Sequence, residues 1–229
     1  MVQLAKPHLD VGLSTNDWSA AERFWSDSVG LVYEEYLKIG TGVRQHRFGA
    51  NGSVVKVNHA REPLPKSPTV HRRLRIAAAA VDAPTLLHDP DGVEVELVPF
   101  GHDDVVGLEI VNVVADSGPA RRFWVDALGA AEVAPDRYRI GDTLVRCLPT
   151  PGLAPVTSRH GVGFRYLTVQ VFDVDAEHAR IVGLGFREEM APTTLGDTAR
   201  ISFVRDADGL YLEVSQRASL TGPLPVPAP

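Results

Sequence analysis

The feature that most constrains this chain is an internal repeat, in which the first half recurs in the second at a constant offset of 99 residues. Arg23-Phe24-Trp25, Asp27 and Gly30 return as Arg122-Phe123-Trp124, Asp126 and Gly129, while Asp17 returns as Asp116 and Asp10 as Glu109. Self-similarity at a fixed period means a structural unit has been copied, so whatever the first half folds into, the second folds into as well.

Each copy opens with an alternating strand, 9–15 or 108–114, followed by an Asn/Asp/Ser-rich turn suited to capping a helix. A helix of about three turns follows, with Ala21, Phe24, Trp25 and Val29, or Ala120, Phe123, Trp124 and Leu128, at helical spacing. At that spacing the Phe-Trp pairs read as core rather than as ligand-stacking rings. Gly30 and Gly129 end the helices, and strands follow at 32–39, 43–48 and 53–58, then at 131–140 and 143–148, giving β-α-β-β-β. A further module begins at 71–79 and runs almost directly into the hairpin at Asp89, with no room for a helix. Its counterpart is complete: a strand at 164–172, a helix near 175–182 stopped by Gly183 and Gly185, and strands ending at 210–215. The twin hairpins Asp89-Pro90-Asp91-Gly92 and Asp206-Ala207-Asp208-Gly209 each place a glutamate four residues after the glycine, Glu96 and Glu213. The expected division is one domain over 1–101, with a truncated second module, another over 105–218, and a Pro-rich tail at 219–229.

Composition narrows the function classes. A formal charge of -6 with interspersed basic residues offers no surface for a phosphate backbone, which excludes nucleic acid as a partner. A single cysteine, Cys147, rules out an internal disulfide and a CxxC metal site and suits a reducing, cytoplasmic setting. Residues 1–10 hold neither a secretory h-region nor a membrane-spanning run. The expected partners are a small-molecule substrate or ligand and, as an option, a second copy in a homodimer.

Tandem β-α-β-β-β modules, the Phe-Trp-x-Asp-x-x-Gly helix end and the Asp-x-Asp-Gly-x-x-x-Glu final strand resemble the vicinal oxygen chelate superfamily. That superfamily includes glyoxalase I, bleomycin-resistance proteins and type I extradiol dioxygenases. The resemblance implies an α+β fold of two cupped, U-shaped mixed β-sheets with helices packed outside. It also implies metal ligands on the inward faces of the first and last strands of each module. By register the first domain offers Asp10, Lys56, Arg73 and Glu96, and the second Glu109, Arg146, Tyr166 and Glu213. Lys and Arg are not ligands for a divalent ion, and they supply the positive charge such an ion would bring. No metal and no other cofactor is therefore expected, a divalent metal being the alternative. His8 and His71, two residues before Asp10 and Arg73, are the displaced set on which the metal alternative rests.

The first cup accordingly reads as a vestigial, closed ion-pair cluster of Asp10, Lys56, Arg73 and Glu96. The second reads as the working site, with Glu109 and Glu213 as acid or base, Arg146 holding an anionic oxygen and Tyr166 donating a hydrogen bond. Val111, Leu144, Leu148, Phe164, Thr168 and Tyr211 would line it. Cys147 faces the helices as a core thiol. The function expected is binding and transformation of a small oxygenated metabolite by metal-independent lyase or isomerase chemistry. The alternatives are a metal-dependent extradiol-type dioxygenase or glyoxalase-like lyase, and a non-catalytic drug or metabolite sequestration protein of the bleomycin-resistance kind.

Overall fold

Caps and periodicity build each module from the residues upward in the computed structural model, which describes residues 2–224. Module one comprises β1 (Asp10–Thr15), α1 (Trp18–Arg23), β2 (Val32–Gly40), β3 (Val43–Ala50) and β4 (Ser53–Ala60). Module two holds β5 (His71–Ala77), β6 (Thr85–His88) and β7 (Glu94–Val98), with turns over 78–84 where a helix would stand. Module three comprises β8 (Leu108–Val114), α2 (Ser117–Arg121), β9 (Ala131–Ala134), β10 (Arg137–Ile140) and β11 (Thr143–Pro149). Module four adds β12 (Gly163–Gln170), α3 (Val174–Gly183), β13 (Arg187–Leu195), β14 (Ala199–Arg205) and β15 (Tyr211–Arg217). Ala218–Thr221 then make one helical turn, α4, and residues 225–229 of the expected tail lie outside the described residues.

The duplicated caps act alike. Asp17 Oδ1 accepts the Ala20 N–H at 3.0 Å, and Asp116 Oδ1 accepts the Gly118 N–H at 2.7 Å. Each helix then widens into a π-type turn, Phe24–Ser28 or Arg122–Ala127, which drives its Phe-Trp pair into the core. Trp25 and Trp124 are essentially inaccessible to water, and Cys147 is buried in the same core. Among the described residues no helix is long and apolar enough to cross a membrane.

Two curled sheets result, but they are not divided as the halves of the sequence are. One has eight strands in the order β13-β14-β15-β12-β1-β4-β3-β2, and the other seven in the order β6-β7-β5-β8-β11-β10-β9. Module one is therefore joined to module four through the antiparallel pair β1 and β12, and module two to module three through β5 and β8. The expectation that 1–101 and 105–218 each close a cup is corrected accordingly. Sequence neighbours often pair, but nothing obliges them to. The short turn between β7 and β8 keeps modules two and three side by side. The segments 61–70 and 150–162 carry the chain from one sheet to the other and back.

Candidate functional site

Alternation along five strands points a polar set into the concave face of the eight-stranded sheet. Gln45 and Arg47 of β3, Lys56 and Asn58 of β4, Tyr166 and Gln170 of β12, Phe203 of β14, and Glu213 and Arg217 of β15 surround a cavity of about 1070 Å³. Leu37, Ile39, Val43, Met190, Leu195 and Ile201 supply apolar walls. A few convergent polar groups within apolar walls are what a small-molecule pocket requires.

On its floor, the Lys56 ammonium donates to Glu213 Oε2 at 2.8 Å and to Thr168 Oγ1 at 2.7 Å, and the Thr168 hydroxyl donates to the same carboxylate oxygen at 2.6 Å. Asp10 lies behind them, fully buried, accepting from Lys6 Nζ at 2.6 Å, the Val54 N–H at 2.9 Å and Gln170 Nε2 at 3.2 Å. Burial opposes its charge, but Lys56 and Lys6 outweigh that and hold the carboxyl below its usual range. Beside this group the Tyr166 hydroxyl accepts from Asn58 Nδ2 at 3.2 Å and Gln45 Nε2 at 3.3 Å. Burial raises its pKa further above neutrality, so it stays a phenol with a proton to donate. Its ring fits because residue 12, directly opposite in register, is glycine; a Cβ there would fall inside the ring.

The cavity's outer wall is tied down by one cation. The Arg165 guanidinium donates to the carbonyls of Arg159, Val162 and Ser158 in one crossing segment and of Ser67 and Pro68 in the other. Arg159, on the wall this creates, places its guanidinium 4.3 Å from the Phe203 ring centroid.

The seven-stranded cup is closed by ion pairs instead. Glu109, wholly buried, receives Arg137 Nε at 2.8 Å, Arg146 Nε at 3.4 Å and Arg75 Nη1. Arg75 also meets Glu96 at 2.6 Å and Asp103 at 2.9 Å, while Arg73 reaches Glu94 at 3.0 Å and Glu96 at 3.4 Å. Carboxylates and guanidiniums satisfy one another throughout.

The expected catalytic set is therefore split. Tyr166 and Glu213 stand in the eight-stranded cup with Asp10 and Lys56, whereas Glu109 and Arg146 stand in the seven-stranded one with Arg73 and Glu96. The expected vestigial cluster divides along the same line, because each cup draws one module from each half. Of the expected lining, only Thr168 touches the Lys56 group. Phe164 stacks on His71 at 4.0 Å between centroids, beside a second cavity of about 530 Å³. Tyr211 lies against the Arg205 guanidinium, Leu148 is exposed, Val111 pairs with Arg73 and Arg146, and Leu144 packs with Ala77, Val98 and Val105. Gln45, Arg47 and Asn58 went unrecognised in sequence, although their alternation with His46 and Val57 on adjoining strands was the signal. Arg217 was missed because β15 runs past the residue at which the strand was expected to end.

The metal site that the resemblance implies does not fit these residues. Lys56 Nζ, a cation at hydrogen-bond distance from Glu213, occupies the position such an ion would need, and in the other cup guanidiniums do the same. His8 lies beside Gly52 and 3.7 Å from Asp142, whereas His71 is bonded to Asn112, so the displaced pair has no shared centre. Among the described residues no three His, Cys, Asp or Glu side chains gather.

Residues 108–214 match the family model of the Glyoxalase/Bleomycin resistance protein/Dioxygenase superfamily. No sequence among curated proteins matches the chain. Glyoxalase I from Zea mays superposes with a TM-score of 0.73 at 15% identity, covering 91% of this chain and 92% of its own. A candidate dioxygenase from Bacillus subtilis gives 0.69 at 12% identity, covering 95% and 86%. The cppA protein of Streptococcus pneumoniae gives 0.56 at 10% identity, covering 93% and 98%. At such identities the likeness establishes the fold alone. The second half of the chain, residues 108–214, thus carries the match to the glyoxalase, bleomycin resistance and dioxygenase superfamily, and the repeated modules and two curled sheets give the whole chain the fold of these relatives.

Proposed function

We propose that the protein binds a small oxygenated organic molecule in the eight-stranded cup and transforms it by metal-independent proton transfer of the isomerase or lyase type. The observation that carries this reading is the Lys56 ammonium, held by Glu213 and Thr168 on the floor of the cavity. It supplies fixed positive charge beside a carboxylate, which is the pairing that enolisation needs.

Glu213 Oε2 is taken by Lys56 and Thr168, while Oε1 has no hydrogen bond among the described residues. Oε1 removes a proton from carbon next to a substrate carbonyl, and the freed electron pair moves onto the carbonyl oxygen. Lys56 stabilises the resulting enolate, and Tyr166, whose O–H is not used by Gln45 or Asn58, donates to the same or a neighbouring oxygen. Return of the proton to an adjacent position gives an isomerase, and expulsion of a β-leaving group gives a lyase. Positioned acid and base groups of this sort contribute roughly 10²–10⁴-fold in rate.

The test is solvent-deuterium exchange, followed by proton NMR, over a panel of ketones and keto acids with the chelator-treated protein. Lys56→Met and Glu213→Gln should abolish exchange in folded protein. Exchange that is lost on chelation and restored by a divalent ion refutes the proposal. Ligand binding without exchange across the panel favours sequestration instead.

A further inference from the structure

We infer that the molecule held in the eight-stranded cup is an organic acid whose anionic end is taken by Arg47 and Arg217, and that Glu35 stands in for that anion until the acid arrives. This rests on the cup being the binding site and adds the charge of the ligand and the group it displaces.

Although the chain carries a net charge of -6, the cavity lining holds six cationic side chains, Lys38, Arg47, Lys56, Arg159, Arg165 and Arg217, and one acid, Glu213. Glu213 is already committed to Lys56. Arg47 and Arg217 come from β3 and β15, in opposite arms of the cup, and both side chains are largely buried. Burial, and then the like charge of Arg47, disfavours the charged form of Arg217. Two buried guanidiniums so placed call for an anion between them.

The group that stands there is Glu35, with Oε1 at 3.3 Å from Arg47 Nε and 3.6 Å from Arg217 Nη2. The fit is poor: Arg47 Nε–H is buried with no hydrogen-bond partner, because the nearby carboxylate lies outside bonding geometry. Glu35 is moreover 47% exposed and belongs to β2, the outermost strand of its sheet. A half-exposed pair of this kind contributes little, so its displacement is easy. A carboxylate or phosphate entering from the cavity would present two oxygens to guanidiniums shaped for such a fork, while its carbon skeleton lay on the apolar walls.

Hexanoate and hexanamide, alike in size and differing in charge, test this by titration calorimetry at low ionic strength. Wild-type protein should bind hexanoate about tenfold or more tighter than hexanamide. Glu35→Gln, an exposed change that leaves the fold alone, should tighten hexanoate several-fold and leave hexanamide unchanged. Arg217→Met should erase the preference. Equal affinity for the two probes, binding of neither at millimolar concentration, or weaker hexanoate binding by Glu35→Gln overturns the inference. Acid preference in a protein that shows no solvent exchange still supports it, whereas exchange on neutral ketones without acid preference overturns it and leaves the proposed chemistry standing.

Discussion

Replacing Lys56 with Met removes the one cation among the described residues that is bonded to Glu213 and keeps the volume of the side chain nearly constant. Lys56 is 4% exposed and Glu213 10% exposed at their side chains, so little water can take the place of the lost ammonium. Glu213 would keep only the Thr168 hydroxyl, and Asp10 would lose one of the two lysines that favour its charge. Breaking a buried pair on one side costs about 3–5 kcal/mol, because it strands the other charge. For a chain of this size about 1 kcal/mol moves the melting midpoint by roughly 2–4 °C, so the variant should melt about 6–20 °C lower at neutral pH. Adding Glu213→Gln should restore much of the loss, since the pair is then removed as a unit, and the double-mutant cycle should show coupling of about 2 kcal/mol or more. Urea unfolding of the four proteins measures both quantities. A Lys56→Met variant within about 0.5 kcal/mol of wild type, with additive effects in the cycle, would refute the argument that this ammonium serves as the cup's built-in cation.

Three further outcomes follow from the geometry. His71 is buried and stacked on Phe164, and burial lowers its pKa from 6.5 to about 3, so it folds neutral and is protonated in the unfolded chain below pH 6.5. Stability from this residue is thus fully present above pH 6.5 and lost as pH falls toward 3, by at most about 5 kcal/mol at about 1.4 kcal/mol per pKa unit; His71→Phe should flatten that acid limb in pH-dependent urea titrations. Gly12→Ala sets a Cβ into the Tyr166 ring and should destabilise by about 1–3 kcal/mol while perturbing the tyrosine absorbance, which thermal melts and near-UV circular dichroism would show. Arg165→Lys cannot serve carbonyls in both crossing segments, so limited proteolysis should cut within 61–70 or 150–162 faster than in wild type, and an unchanged cleavage rate would show that the segments are held otherwise.

Most of the modular plan was legible because it is written in local chemistry. Asp17 and Asp116 cap helices, Gly30 and Gly129 take the positive φ that ends them, and the Phe-Trp pairs are buried as their spacing requires. The missing helix of the second module was visible as a missing stretch of sequence. Strand alternation likewise gave the inward face correctly for Asp10, Lys56, Glu109 and Glu213, all of which point into a cup. What no strand's sequence states is which edge it will join. β1 had two candidate partners with nearly the same pattern, β5 and β12, and the choice of β12 moved Tyr166, Thr168 and Glu213 beside Lys56 and left Glu109 with Arg75. The facing of those four residues does not depend on that choice. The expected company held within each module, as for Asp10 with Lys56 and Glu109 with Arg146, and failed between modules, so Glu109 and Arg146 stand apart from Tyr166 and Glu213.

Asp10 and Glu109, at equivalent places in the repeat and both wholly buried, show how two cups of one plan come to differ. Each carboxylate needs positive charge, and the form in which the chain supplies it decides what space is left. Glu109 is met by three guanidiniums, from Arg75, Arg137 and Arg146, which are broad and planar and extend across the concave face to further acids. That network takes up the hydrogen-bonding capacity of the charged groups in the seven-stranded cup. Asp10 is bonded by the slender ammonium chain of Lys6 and favoured at longer range by that of Lys56, and the charge of each is a point. One of them also serves Glu213, and the cavity of about 1070 Å³ stands open above it. Replacing lysine by arginine at position 56 is thus not conservative: the wider fork would reach Glu213 but intrude on the cavity floor. The eight-stranded cup keeps its cavity because its central cation is a lysine.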